Sequence, residues 1–356
     1  NRGPAFEGLA RRVLDGMKPV FQTKGAVVIY PASGTGAWEA ALVNTLSPGD
    51  RVLMAETGQF ANLWRALAER LGLDVQFLAG DWRHGVQPGQ IAAALAGDKD
   101  ESIKAVCCVH NETSTGVTSD IAGVRQAMDN IGHPALLMVD TISSLASIDY
   151  RHDEWGVDVS IGGSQKGLML PPGLSFNAIS AKALKAHEGA GMIRSYWDWA
   201  PMLQANKGGA FPYTPATNLL YGLDEAMLML QEEGLPNVFQ RHTRLAEATR
   251  RAVSAWGLET VALAATEKSN SLTAVMLPEG HDADTFRAVV LQRFNMSLGN
   301  GLGRLAGRVF RIGHLGDFND LMLAGTLSGV EMGLAAAGVP HERGGIQAAL
   351  DFLSLA

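Results

Sequence analysis

GVDVSIGGSQKGLMLPPG, running from Gly156 to Gly173, opens as a strand and closes as a turn, and a lysine stands between the two. The alternation Val157, Val159, Ile161 predicts a short strand, Gly162-Gly163-Ser164 leads out of it into Gln165-Lys166, and Pro171-Pro172 stops it. A desolvated ammonium is costly and its pKa falls readily. A lysine at the end of a buried strand is therefore a candidate nucleophile for a carbonyl, and hence for a Schiff base. An arbitrary lysine there would snorkel to water, so the residues around it decide.

Upstream, strand-like runs at Ala26–Tyr30, Arg51–Ala55, Val75–Leu78 and Ile103–Val109 alternate with helical ones. Those helices are expected at Ala37–Leu46, from about Asn62 to Leu71, from Gln90 to Leu95 and from Ile121 to Ile131. Ala135–Asp140, the Lys166 segment and Leu174–Ile179 would complete the set. Such alternation predicts an α/β fold with a large, mainly parallel sheet of the seven-stranded type, covered on both faces. From Thr217 to about Trp256 the chain reads as two helices interrupted at Gly234-Leu-Pro236, the second leading into a smaller C-terminal α+β unit. In that unit Ser271–Leu277 and Val309–Ile312 are strands, and 283–293 and 319–337 are helices. The expected division is 1–240 and 241–356. Gly299, Gly301, Gly303 and Gly307 predict a mobile loop before the Val309 strand, with a hairpin connection as the plain reading and a lid as the sharper one.

The 356 residues, 47% apolar with a net charge of −7, describe a soluble globular chain with a substantial core and no footprint for nucleic acid or membrane. Residues 1–20 carry Arg2, Arg11, Arg12 and Lys18, but acids interrupt them and no apolar signal core follows. An ordinary amphipathic helix is expected there, not a targeting peptide. The two cysteines, Cys107 and Cys108, are neighbours in a predicted core strand and point to opposite faces, which suits a reducing, cytoplasmic compartment.

In an open parallel sheet, ligands gather at the carboxyl ends of the strands, and four polar clusters fall at such ends. Ser33-Gly34-Thr35-Gly36 joins a strand to a helix, so backbone N–H groups and two hydroxyls could hold a phosphate. It is neither a dinucleotide fingerprint nor a P-loop, since Glu39 replaces the third glycine and no Gly-Lys-Ser/Thr follows. His110-Asn-Glu-Thr-Ser-Thr-Gly116 offers a histidine, a carboxylate and three hydroxyls, more than helix capping needs. Asp140 ends an apolar run, where a carboxylate calls for a cationic partner such as a protonated ring nitrogen. Lys166 is the fourth. A phosphate cradle, a carboxylate for a ring nitrogen and a Schiff-base lysine are the three handles of pyridoxal 5′-phosphate.

With SGTGAWEAAL, HNETSTGV, VDTISS, GGSQKGLMLPPG, FPYTPATNLLYGL and FRIGHLG spread in order from residue 33 to 316, the chain resembles the class-V aminotransferases of fold type I. Their serine–glyoxylate and alanine–glyoxylate members are the most similar. The resemblance implies that Lys166 binds the cofactor and shuttles the substrate α-proton, with Gln165 near the phosphate. It places Asp140 on the pyridinium nitrogen, Thr113 on the ring oxygen, Ser33, Gly34 and Thr35 on the phosphate, and Phe60 over the cofactor face. Thr214 would reach the phosphate of a second subunit, so a homodimer with shared active sites is implied. Phe211 stands where relatives often carry a phosphate-binding tyrosine, and a slightly weaker hold on the phosphate is expected. The chain begins at Asn1-Arg2 without a methionine, where relatives have completed a loop near the substrate, so some substrate contacts are expected outside this sequence.

Arg311 lies in the apolar run Val309–Ile312, where a guanidinium needs an anion; its fork suits a carboxylate, and the resemblance assigns it the substrate's. An ion pair with an acid of the small unit is the structural alternative. The implied reaction is ping-pong transamination from L-serine to glyoxylate, giving hydroxypyruvate and glycine, with amino-acid and 2-oxo-acid substrates and no metal. Alanine or aspartate remain open as donors. Cysteine desulfuration would need a reactive cysteine on a mobile loop, a serine hydrolase would need glycine in place of Lys166, and a non-catalytic cofactor-binding regulator would not need the lysine, aspartate and arginine together.

Overall fold

The computed structural model describes residues 3–355, and in it the strand–helix alternation becomes one seven-stranded sheet. Its strands are β1 (Ala26–Tyr30), β2 (Arg51–Ala55), β3 (Asp74–Leu78) and β4 (Ile103–Val109), then β7 (Leu136–Asp140), β8 (Val159–Gly163) and β9 (Ser175–Ile179). Between β4 and β7, β5 (Asn111–Glu112) and β6 (Val117–Thr118) form a small antiparallel ladder that the sequence pattern did not announce. The sheet order is β1-β9-β8-β7-β4-β2-β3. Strands β3, β2, β4, β7 and β8 pair in parallel, whereas β9 runs antiparallel to both β8 and β1. Only Ser164–Leu174 separates β8 from β9, too short for a crossover, so the chain must return antiparallel. That return folds the lysine segment into a tight loop at the sheet's carboxyl end.

β7 and β8 are buried throughout, as strands covered on both faces must be. On one face the core gathers the helix Pro4–Phe21 and the helix Thr217–Glu233. The other holds the helix Gly34–Thr45 together with Trp38, Trp64 and Trp199. Trp199 donates its indole N–H to Tyr30 Oη (2.7 Å), and Trp197 sets its edge against Tyr30, so this aromatic pair serves packing. The helix expected from Ala37 begins at Gly34, with Ser33 as its N-cap; the glycine turn is its first turn and not a separate loop. A Cβ on Gly34 would lie 2.1 Å from Ile142 Cδ1, so glycine lets the helix start this close to the end of β7 without displacing the Ile142 side chain.

Downstream, Gly234 at φ +81° with Pro236 just inside the next helix separates Thr217–Glu233 from Leu235–Ala255, as the sequence predicts. The second helix leads to the antiparallel sheet β10 (Glu259–Thr260), β11 (Leu272–Met276), β13 (Val309–Gly313) and β12 (Gly299–Asn300), in that order. Helices Ala283–Phe294, Asp320–Ala336 and Gly345–Leu355 enclose a core with Trp256, Phe286 and Phe310. The glycine-rich stretch is a hairpin: β12, a short 3-10 turn at Gly303–Leu305, and β13. No helix among the described residues is long and apolar enough to cross a membrane.

Four buried histidines, His110, His152, His242 and His314, have pKa values pulled down by burial, the first three to about 4 and His314 to about 3. Below about pH 6.5 the unfolded chain binds protons that the folded chain refuses. Their contribution is whole above that pH and is lost as pH falls toward 4. A melting series from pH 7.5 to 4.5 should therefore show Tm dropping most steeply below about pH 6.5; a flat profile would contradict this reading.

Candidate active site

Asp140 ends β7 with its carboxylate buried and both oxygens engaged by N–H groups. Trp38 Nε1 donates to Oδ2 (2.9 Å) and the Ile142 backbone to Oδ1 (2.7 Å). Burial first, with a push from Glu112, raises its pKa to about 7; the two N–H donors and the field of Lys166 act the other way. Trp38, stacked on Trp64 with centroids 5.8 Å apart, comes from the helix that Gly34 starts, so one helix carries both the glycine turn and a clamp on the carboxylate. Sequence reasoning passed over Trp38, although it lies inside SGTGAWEAAL. Its partner is 102 residues away, and nothing local marks it.

Lys166 follows β8, and its own loop fixes its backbone. Ser164 Oγ donates to the Pro171 carbonyl (2.8 Å) and accepts from Leu174 N (3.1 Å), while Met169 N donates to the Lys166 carbonyl (2.9 Å). Met169 takes φ +61°, an uncommon conformation for a residue with a side chain, and Gly167 packs so closely that a Cβ would sit 2.2 Å from the Leu145 carbonyl. Burial, then the charge of Arg311, lowers the lysine pKa, and Asp140 partly opposes this. Asp140 and Arg311 thus both act on the lysine. Beside the lysine, Gln165 Oε1 is buried with no partner among the described residues.

The ladder β5–β6 supplies Glu112. Its carboxylate is fully buried and accepts from Phe60 N (3.2 Å), Ala61 N (3.1 Å) and both Ser114 N (3.1 Å) and Oγ (2.6 Å). It thus caps the helix Gln59–Arg70 and fixes the first turn, which carries Phe60; burial raises its pKa while those donors lower it. The Thr113 carbonyl accepts from Arg311 Nη1 (2.8 Å). Arg311 Nε donates to the Asn300 carbonyl (2.8 Å), so carbonyls and not an acid of the small unit hold this guanidinium. Burial lowers its pKa, making a further anionic partner favourable.

Ser33 and Thr35 expose their hydroxyls at the N-terminus of the helix Gly34–Thr45, and Ser33 does not spend its hydroxyl on capping. His110, from the same polar run as Glu112, is instead packed among Tyr150 and Trp155 with Nδ1 2.9 Å from Ser144 Oγ. Phe211 is half-buried against Phe6, with centroids 6.3 Å apart, and Thr214 is exposed; no hydrogen bond among the described residues ties either to the Lys166 group. Cys107 and Cys108 are buried and unbonded, with burial pushing both thiols up, Cys108 to about 12; neither is a nucleophile.

Residues 12–302 match the aminotransferase class-V family. The chain is 50% identical to the serine–glyoxylate aminotransferase of Methylorubrum extorquens, over 99% of this chain and 90% of that protein. It is 45% identical to the L-aspartate–glyoxylate aminotransferase of Paracoccus denitrificans, over 98% of this chain and 89% of that one. Its fold superimposes on the ureidoglycine–glyoxylate aminotransferase of Bacillus subtilis with a TM-score of 0.91 at 28% identity, covering 99% of this chain and 91% of that one. With the mainly parallel sheet, the lysine loop after β8 and these likenesses together, the chain belongs to the class-V aminotransferases, on the type-I fold of pyridoxal-phosphate-dependent enzymes.

Proposed function

We propose that this chain transfers the amino group of L-serine to glyoxylate, giving hydroxypyruvate and glycine by a ping-pong cycle, with pyridoxal 5′-phosphate as cofactor. The observation that carries the reading is the placing of Lys166 just past β8 with Asp140 at the end of β7 and Arg311 within β13 both close enough to act on its charge. The residues fit the cofactor. A buried carboxylate held only by neutral N–H donors suits a pyridinium, and exposed hydroxyls at a helix N-terminus suit a phosphate. When bound, pyridoxal phosphate supplies a carbonyl for the lysine and an electron sink that acidifies the substrate α-carbon.

Each residue has its part. Lys166, kept readily deprotonated by burial, binds the cofactor and moves the α-proton. Asp140 stays ionised against the pyridinium, oriented by Trp38 and the Ile142 N–H. Ser33, Gly34 and Thr35 hold the phosphate with Gln165, Thr113 offers its hydroxyl to the ring oxygen, and Phe60 stacks on the ring. Arg311 takes the substrate carboxylate. Thr214 and the Phe211 segment, exposed or edge-packed in one chain, serve the site of a second copy, which makes the homodimer the working unit.

Glycine formation from glyoxylate, measured with serine, alanine and aspartate offered separately, should be fastest with serine. Glycine formed faster with aspartate would favour the second reading, which the Paracoccus relative supports. No glycine from any donor would overturn the proposal. Arg311→Gln should raise KM for both amino acid and glyoxylate by roughly 10²-fold, since a bidentate charge-assisted pair is lost. An unchanged KM would remove Arg311 from its role.

A further inference from the structure

The hairpin β12–β13 is tied across its own base and, at its tip, to residues on the large sheet's side. At its base Gly299 lies opposite Arg311, so closely that a Cβ would be 3.0 Å from Arg311 Cβ, and the Asn300 carbonyl takes Arg311 Nε at 2.8 Å. Its tip lies on the large sheet's side. There Arg304 Nη2 is 2.6 Å from Glu56 Oε1, with Arg304 61% exposed and Glu56 only 6%. Glu56 sits just past β2 and is pre-set to receive this cation: Trp82 Nε1 donates to the same oxygen (2.9 Å) and Gly80 N to the other (3.3 Å). The Arg304 guanidinium also lies over the Trp82 ring, 5.2 Å from its centroid.

Two further features make this contact specific. Trp82, at φ +65°, is buried in a cluster with Val261, Leu272, Ala274, Leu305 and Val309, so a residue that follows β3 is packed into the small sheet. Gly303, at φ +53°, approaches Gln59 so closely that a Cβ would be 2.2 Å from its Oε1, and Gln59 directly precedes Phe60. The tip therefore rests on the same helix turn that Glu112 fixes. A hairpin pinned at its tip holds its base carbonyl in place, and Arg311 has only one such partner on the hairpin.

We propose that this hairpin is a latch and that Arg304 is a positioning residue: its pairing with Glu56 and Trp82 holds Asn300 where it aims the Arg311 guanidinium at a substrate carboxylate. This rests on the role given above to Arg311. Releasing Arg304 removes the polar anchor of the tip and leaves only the packing of Gly303 and Leu305, so the Asn300 carbonyl holds Arg311 Nε less firmly and the Thr113 carbonyl becomes its steadier partner. Because Arg304 is mostly exposed, its loss does not threaten the fold, and Glu56 keeps its two N–H donors.

The test compares Arg304→Gln and Arg304→Lys with the unmodified protein loaded with pyridoxal phosphate. In the glutamine variant, KM for serine and for glyoxylate should rise about tenfold with kcat within about twofold, since a misaimed carboxylate clamp costs binding before chemistry. The near-visible absorption of the bound cofactor should not change. Lysine keeps the charge but not the planar fork and should restore part of the loss. Amide hydrogen exchange should accelerate across 299–311 in the glutamine variant, a readout that needs no turnover. Unchanged KM together with unchanged exchange would overturn the latch, as would kcat and cofactor absorption falling as far as KM rises. If the unmodified protein shows no transamination, the functional reading fails by itself, and exchange in 299–311 still decides the latch.

Discussion

Lys166→Ala should abolish transamination, lowering kcat by roughly four orders of magnitude, because in the proposed reaction the same amine is both the nucleophile toward the cofactor and the base for the α-proton. The variant should also lose the near-visible absorption of lysine-bound cofactor while still binding pyridoxal phosphate through Asp140 and the Gly34 helix. The scaffold should survive. Ser164, Gly167 and Met169 hold the loop through backbone contacts that do not involve the lysine side chain. Removing a partly buried amine, whose pKa burial already lowers, also removes a desolvation cost, so Tm should hold or rise. Retained turnover would shift the base elsewhere, and a collapse in Tm would mean the lysine has a structural role. The neutral amine is favoured by burial and by Arg311, so the pH at which the unmodified enzyme gains activity should lie below the ordinary lysine range. Arg311→Gln, which removes the second of these causes, should move that limb upward.

What the sequence made legible follows from where chemistry meets periodicity. Asp140 and Lys166 each end a buried strand, and a charge at the end of an apolar run is visible without knowing its partner. Arg311 was legible for the same reason inside Val309–Ile312. Trp38 and Arg304 were not legible as site-builders and Glu112 was visible only as the carboxylate of a polar run, since each acts through a residue brought close only by the fold: Asp140, Glu56 and the Phe60 helix turn. A tryptophan in a helix reads as core, and Trp38 is core as well as clamp. The direction of β9 was hidden because strand periodicity is the same in either direction, and only the length of the intervening loop decides it. The glycine-rich run before β13 suggested mobility, yet its glycines at 299, 301 and 303 are where the hairpin packs against Arg311, Leu305 and Gln59. His110 was the opposite case, a polar residue in a chemical motif that proved to be packing.

Asp140→Asn should separate catalysis from stability in opposite directions. The variant keeps the shape, but its amide cannot carry the charge that holds a protonated pyridine, so kcat should fall by about 10²-fold or more. In the cofactor-free protein the effect on stability reverses. Burial raises the Asp140 pKa to about 7, above its unfolded value, so the folded chain binds a proton that the unfolded chain has released between about pH 4 and pH 7. Stability from this group is present at low pH and lost as pH rises through 7, a cost of at most about 4 kcal/mol at pH 8. Asparagine never pays it, although its amide must face one of the two N–H donors, at about 1–2 kcal/mol. Cofactor-free Asp140→Asn should therefore melt higher than the unmodified protein at pH 8 and lose that advantage by pH 5. The four histidines titrate alike in both proteins and cancel in the difference. Adding pyridoxal phosphate should invert the order at pH 8, since the ionised carboxylate then meets its cation and only the unmodified protein gains from it. A variant less stable than the unmodified protein at pH 8 without cofactor would show that Trp38 and the Ile142 N–H already hold Asp140 comfortably as an anion, and that its strain is not what the cofactor relieves.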